Sequence, residues 1–167
     1  MKGAIEAIRP AYIGVGSNLG QPITQVAEAV KRLGDLPVST IVAQSSLYRS
    51  SPFGPVEQPD FVNAVVMLET SLAAEELLRL LQRIESEMGR SGNNKRWGPR
   101  LIDLDLLILG NETVSHDGLT VPHPGIAERN FVLLPLREIA PQLIIPGLGP
   151  LADIVVNEQQ PRIERLL

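Results

Sequence analysis

The sequence predicts an α+β fold in a single domain, and three observations carry that prediction. The 167 residues fit one domain with a core of its own. A composition of 44% hydrophobic and 20% charged residues is that of a globular protein, neither disordered nor membrane-embedded. Finally, apolar runs of strand character interleave with two helical stripes in the order β-α-β-β-α-β, the pattern of a ferredoxin-like core with a mostly antiparallel sheet and helices on both sides.

Each element has its own signature. Ala11 to Val15 is a buried strand that runs into Gly14-Val15-Gly16-Ser17-Asn18-Leu19-Gly20, read as a strand-to-helix turn. Pro22 suits the first turn of a helix, Val26, Ala29, Val30 and Leu33 recur at helical spacing, and Gly34 closes it. Val38 to Tyr48 is one long β-leaning segment, followed by a loop from Ser50 to Pro59 that holds three prolines and a glycine. Phe61 to Leu68 is the next strand, and Leu72 to Met88 the second helix, with Leu77, Leu81, Ile84 and Met88 on one face. Leu101 to Leu109 is a strongly apolar strand broken only by Asp103 and Asp105. A hairpin around Val114 and Leu119 to Val121, a helix from Asn130 to Ile139 and a short helix near Leu151 to Val155 extend the core. Residues 1–10 read as an N-terminal extension and 11–167 as one domain.

Composition excludes several function classes. Fifteen Lys and Arg against nineteen Asp and Glu give a net charge of −4, which disfavours nucleic-acid or anionic-membrane binding driven by overall charge. Cysteine is absent, so disulfides, thiolate metal sites and cysteine nucleophiles are excluded. No apolar run reaches the roughly 18 residues that span a bilayer. Glu6 and Arg9 interrupt what a secretory signal needs to keep apolar, so a cytoplasmic monomer is the expectation.

Chemistry concentrates in one stretch. Side chains two apart on a strand share a face, so Asp103 and Asp105 point the same way. Like charges so placed repel unless neutralised, and a hard divalent cation that also holds phosphate oxygens is the natural partner; pairing with lysine or arginine on an exposed face is the alternative. Just upstream, Arg90 to Arg100 carries Arg90, Lys95, Arg96 and Arg100 with no acidic residue. Its guanidinium groups suit phosphates, its glycines suit a closing loop, and Trp97 offers a ring for stacking; a solvated basic loop is the plainer reading. Together, loop and strand look like a magnesium-polyphosphate site.

Other motifs carry less. The glycine spacing from Gly14 to Gly20 is G-x-G-x-x-x-G, which departs from the dinucleotide fingerprint and favours a tight turn, and no G-x-x-x-x-G-K-[ST] occurs. His116 and His123 lie seven apart, unlike a zinc helix motif, and no G-x-S-x-G elbow marks a serine hydrolase. His123 between two prolines suits a phosphate contact or a simple turn equally. Phe61 and Phe131 suit core packing, and Asn63 shares the strand face of Phe61 and could present its amide to a heterocycle.

Four blocks, Ala11-Tyr12-Ile13-Gly14-Val15-Gly16-Ser17-Asn18-Leu19-Gly20, Gly54-Pro55-Val56-Glu57-Gln58-Pro59-Asp60-Phe61-Val62-Asn63-Ala64, Arg96-Trp97-Gly98-Pro99-Arg100-Leu101-Ile102-Asp103-Leu104-Asp105 and Val121-Pro122-His123-Pro124, resemble the 6-hydroxymethyl-7,8-dihydropterin pyrophosphokinases of folate biosynthesis. The likeness runs from about Ala11 to Val155. It implies transfer of pyrophosphate from ATP to the pterin's hydroxymethyl oxygen with release of AMP and two magnesium ions held by Asp103 and Asp105. By the same resemblance Arg90 and Arg100 lie near the phosphates and act with the two aspartates in catalysis. Gln82, Glu85, Trp97, Arg100, Leu106, Thr120, His123 and Arg129 match ATP-contacting positions. Phe61 and Phe131 would sandwich the pterin, with Asn63, Ser50, Ser51 and Phe53 reading its hydrogen-bonding edge and Trp97 and Asp103 alongside. The sequence departs from the family pattern at Phe61, where tyrosine is common, at Gly92 and Gly118, which can be basic, and at Pro124, which replaces an aromatic residue. Two competing classes have less support: a ferredoxin-like RNA-binding module, disfavoured by 4% aromatic content and acidic charge, and a nicotinamide oxidoreductase, which rests on the imperfect glycine pattern alone.

Overall fold

The structure is a computed structural model, and it describes residues 5–52, 54–55, 57–89 and 101–166. The chain runs β1 (Ile5–Ser17), α1 (Pro22–Gly34), β2 (Ser39–Gln44), β3 (Tyr48–Ser50), β4 (Phe61–Leu72), α2 (Ala74–Glu87), β5 (Asp103–Leu109), β6 (Val114–His116), β7 (Leu119–Val121), α3 (Asn130–Ile139), β8 (Ile144–Ile145), β9 (Gly149–Pro150) and β10 (Ile163–Arg165). The main sheet is antiparallel in the order β10-β3-β4-β1-β5, with β2 also paired to β4.

Helices cover both faces, and strand alternation explains why. Ala11, Ile13 and Val15 of β1, Val62, Ala64, Val66 and Leu68 of β4 and Leu104 and Leu106 of β5 join Val26, Ala29 and Leu33 of α1 and Leu77, Leu81 and Ile84 of α2 in one buried cluster. The intervening residues Tyr12, Val65 and Met67 face the other way and meet Val132, Leu133 and Leu136 of α3. Each buried Leu or Ile removes apolar surface worth about 1.5–3 kcal/mol from water. Helix ends agree with their local chemistry: Pro22 opens α1, Lys31 and Arg32 close it, and Glu75 and Glu76 sit in the first turn of α2, where the helix dipole favours them.

Several boundaries differ from the sequence expectation, each for a physical reason. β1 starts at Ile5, because Arg9 and Pro10 already pair with Thr70 and Glu69 of β4, so residues 5–10 lie in the sheet. Gly14 and Gly16 lie inside that strand, not in a turn. The long segment ending at Tyr48 is two strands: at Ser45 the N–H still donates to the Val65 carbonyl, but the Val65 amide is accepted by the Ser45 hydroxyl and not by a backbone carbonyl. The expected helix near Leu151 is a single 3₁₀ turn, Leu151–Asp153, and the tail adds a strand, β10, where none was expected. Among the described residues no helix is long and apolar enough to cross a membrane.

One irregularity matters for the site. Tyr12 pairs with Ile108 but Ile13 with Leu106, so Leu107 is an extra residue in β5. The bulge turns Leu107 and Ile108 together toward α3. Before it, Leu104 and Leu106 face α1 and α2, which leaves Asp103 and Asp105 on the α3 face.

Candidate active site

The site lies on the α3 face at the end of the three central strands. Gly16 is the register partner of both Asn63 and Asp103, and Gly14 of both Val65 and Asp105. The two glycines therefore form a floor without side chains between the asparagine of β4 and the carboxylates of β5. A Cβ on Gly16 would lie 2.7 Å from Asn63 Oδ1, too close to coexist with it. Both glycines lie within β1 and not in the strand-to-helix turn their spacing predicts.

On one side of the floor stands a polar and aromatic wall. Asn63 is 8% exposed, and its Nδ2 donates to Ser50 Oγ at 3.1 Å. Phe61 follows the same face two residues earlier and pairs across the sheet with Ser50. Ser51 is tied to the tail: its N–H donates to the Arg162 carbonyl at 2.9 Å, and its hydroxyl accepts the Arg162 N–H at 3.0 Å. Asn18, from the loop after β1, fixes the far end of the Ser51 to Asp60 loop by donating to Gln58 Oε1 at 2.8 Å and to the Pro59 carbonyl at 2.9 Å.

On the other side are the two carboxylates and three supporting groups. Arg129 Nη1 lies 3.9 Å from Asp105 Oδ2, and its guanidinium sits 5.9 Å from the centre of the Phe131 ring, so one cation joins the acidic and aromatic ends. Gly125 makes room for it: a Cβ there would lie 2.8 Å from Arg129 Nε. His123 accepts the Gly125 N–H on Nδ1 at 3.0 Å, which leaves Nε2 to carry the proton of the neutral ring. Burial first and the Arg129 charge second lower the His123 pKa from its ordinary value, against the opposing pull of Asp103. Glu85 is buried on α2, and its Oε2 accepts the Leu104 amide at 2.7 Å, which fixes the strand between the two aspartates.

The remaining sequence-predicted residues fall as follows. Gln82 is exposed on α2, and Thr120 is exposed on β7. Leu106 is 4% exposed with its side chain in the core on the opposite face from the carboxylates. Phe53, Arg90, Trp97 and Arg100 lie outside the described residues, as does Gly92. Gly118 turns the β6–β7 hairpin with φ of 84°, and Pro124 is exposed beside His123.

Asp103 and Asp105 are oxygen donors on one face beside the glycines of β1, over which the Asn63 amide and the Leu107 side chain lie, and such paired carboxylates suit a hard divalent cation. Among the described residues no third His, Asp or Glu joins them. Paired carboxylates with an arginine and a histidine beside them, and an amide and aromatic wall across β1, thus stand together on one face of the sheet.

Comparison with known proteins makes this specific. Residues 12–141 match the model of the 7,8-dihydro-6-hydroxymethylpterin-pyrophosphokinase family, and the chain belongs to that family. It is 46% identical over 145 residues to the 2-amino-4-hydroxy-6-hydroxymethyldihydropteridine pyrophosphokinase of Haemophilus influenzae, covering 87% of this chain and 90% of that one. It is 43% identical over 159 residues to the Pseudomonas aeruginosa enzyme of the same name, covering 95% and 98%. A Plasmodium falciparum HPPK-DHPS solved with pterin and p-hydroxybenzoate superposes with a TM-score of 0.70 over 89% of this chain at 14% identity, a likeness of fold. This chain spans 43% of the length of that solved chain.

Proposed function

We propose that the glycine floor of β1 is the bed on which ATP and 6-hydroxymethyl-7,8-dihydropterin meet, the pterin over Asn63 and the triphosphate over Asp103 and Asp105. As a member of its family the chain transfers the pyrophosphoryl group of ATP to the pterin's hydroxymethyl group, a step of folate biosynthesis. The observation that carries the placement is the shared register of Asn63, Gly16 and Asp103 across three strands. Neighbouring strands are about 4.8 Å apart, so asparagine and aspartate stand roughly 10 Å apart, a span that suits a bicyclic ring with its hydroxymethyl arm.

In the reaction the hydroxymethyl oxygen forms a bond to the β-phosphorus of ATP. The bond from that phosphorus to the α-bridging oxygen breaks, AMP departs with the electron pair, and the hydroxyl proton is released. No protein nucleophile is required, so the work of the chain is positioning and charge compensation. Phe61 and Phe131 stack on the ring, and the Asn63 amide, oriented by its bond to Ser50, pairs with the ring edge. The carbonyl of Ser51 is available for that edge, since its N–H and hydroxyl are used by Arg162. Phe53 and Trp97 are assigned to the same end by the family motif. Arg129 balances the acidic end, and His123 offers its Nε2 proton to a phosphate oxygen.

Asp103 and Asp105 would hold two magnesium ions, and bound magnesium supplies neutralisation of the triphosphate and alignment of the attacking oxygen. Gln82, Glu85, Leu106 and Thr120 belong to the ATP side in this reading, and Arg90 and Arg100 to the phosphates. Both β-α crossovers and the strand order, with β2 and β3 together filling one edge position, support a ferredoxin-like core. Residues 11–167 are the catalytic domain, which acts as a cytoplasmic monomer on small molecules and without nucleic acid or membrane. ATP labelled at the β-phosphorus tests the reaction: the label must pass to the pterin with unlabelled AMP left behind, and formation of ADP would refute it.

A further inference from the structure

The tail of the chain bears on the pterin side of the site, and this inference rests on the assignment of Ser50, Ser51, Asn63 and Phe131 to the pterin. After the 3₁₀ turn at Leu151–Asp153 the chain returns to the sheet edge, where Ile163, Glu164 and Arg165 pair with Ser50, Arg49 and Tyr48. The Leu166 N–H continues the contact to the Leu47 carbonyl at 2.8 Å, and Ser51 and Arg162 exchange the two hydrogen bonds already described. The strand that carries Ser50 thus has the tail as its outer neighbour.

The same tail is tied to α3. Asn130, the first residue of that helix, is 2% exposed. Its Nδ2 donates to the Asn157 carbonyl at 2.7 Å and to the Pro161 carbonyl at 2.6 Å. Its Oδ1 is buried and has no partner among the described residues. That arrangement is a poor way to stabilise a fold, because the unpaired acceptor offsets the gain of the two donated bonds. It is a good way to hold two loop carbonyls at a fixed place, since one planar amide sets both. A cavity of about 510 Å³, lined by Pro52, Gly54, Glu128, Asn130, Gln159 and Pro161 among others, separates the base of the Ser51 to Asp60 loop from the start of α3. Phe131 is one residue beyond Asn130 and Ser51 one residue beyond Ser50, so the tail bridges the two walls at this end of the slot, while at the other end of α3 Glu138 bonds directly to Ser46 and Tyr48.

We propose that the segment Asn157–Arg165 is a strap that sets the width of the pterin slot, with Asn130 as its anchor and positioning residue. Asn130 acts through Phe131 on one side and through Arg162 and Ser51 on the other. The ATP side, built on β5, His123 and Arg129, is not spanned by the strap.

Full-length Asn130→Ala and Asn130→Ser test the proposal. In Asn130→Ala the KM for the pterin should rise fivefold or more while the KM for ATP stays within twofold. Asn130→Ser, whose hydroxyl can donate to one of the two carbonyls, should recover part of the loss. Without any substrate, backbone amides of Arg49 to Ser51 should exchange hydrogen faster in Asn130→Ala than in the wild type. Unchanged exchange there overturns the strap whatever the activity shows, and so does a rise in both KM values together in a folded variant. A wild type that releases no AMP with the pterin overturns the functional reading instead, and the exchange result still reads the strap by itself.

Discussion

Gly16→Ala is the perturbation that most sharply tests the glycine floor. The added Cβ would stand 2.7 Å from Asn63 Oδ1, so the asparagine must retreat by about 0.7 Å to reach ordinary contact. It cannot do so freely. Asn63 is buried on β4 and its Nδ2 is engaged with Ser50 Oγ, and moving the amide weakens a bond worth about 1 kcal/mol. Overpacking of this kind costs about 1–3 kcal/mol of stability. A misplacement of about 1 Å can cost about 100-fold in rate, so a shift of about 0.7 Å predicts at least a roughly tenfold loss, about 1.4 kcal/mol, in kcat/KM for the pterin. The assay is AMP release under two regimes, varied pterin at saturating ATP and the reverse, with urea unfolding as control. A loss of at least roughly tenfold confined to the pterin term is the expected result. Unchanged pterin kinetics in the folded variant would refute the reasoning, because the amide would then have no part in recognition.

Three further outcomes follow from other parts of the site and core. Asp105→Ala should keep a cooperative thermal transition close to that of the wild type but lose at least 100-fold in turnover at saturating magnesium, as removal of a charge-stabilising group in a polar site does; full turnover would remove the carboxylate assignment. Burial first, and then the hydrogen bond to Glu138 and its charge, push the Tyr48 phenol up to about 12. The stability from that shift is present below pH 10 and lost as pH rises through about 12, so the urea midpoint of the wild type should fall across that window more steeply than that of Tyr48→Phe. Burial alone would raise Glu138, but hydrogen bonds from Tyr48 and from the Ser46 amide and hydroxyl, with the Arg165 charge, leave its pKa lowered. Its contribution is therefore present above the ordinary glutamate range and lost as pH falls through the folded value, and Glu138→Gln should flatten the acid limb of a stability profile.

Much of the site was legible in the sequence because its logic is local. Asp103 and Asp105 share a face by strand alternation alone, and Phe61 and Asn63 do so by the same rule. What sequence could not show was long-range pairing. That Gly16 lies between Asn63 and Asp103 depends on the register of three strands, and register is a property of the sheet. The bulge at Leu107 is of the same kind, since nothing in Leu106-Leu107-Ile108 marks which residue is extra. β10 escaped notice because three residues of mixed polarity carry no periodicity, and Asn130 read as a helix start with no hint of its two carbonyl partners. Glycines at 14 and 16 carried an available signal: at a spacing of two on a strand they open one face, and reading them as a turn followed from weighing their flexibility over their lack of side chains.

The most direct test of the whole account is AMP release from ATP in the presence of magnesium, measured with and without 6-hydroxymethyl-7,8-dihydropterin on the wild-type protein. The account predicts AMP that appears only with the pterin and in step with its consumption. AMP released equally without it, or none at all from a folded protein given both substrates, would contradict it.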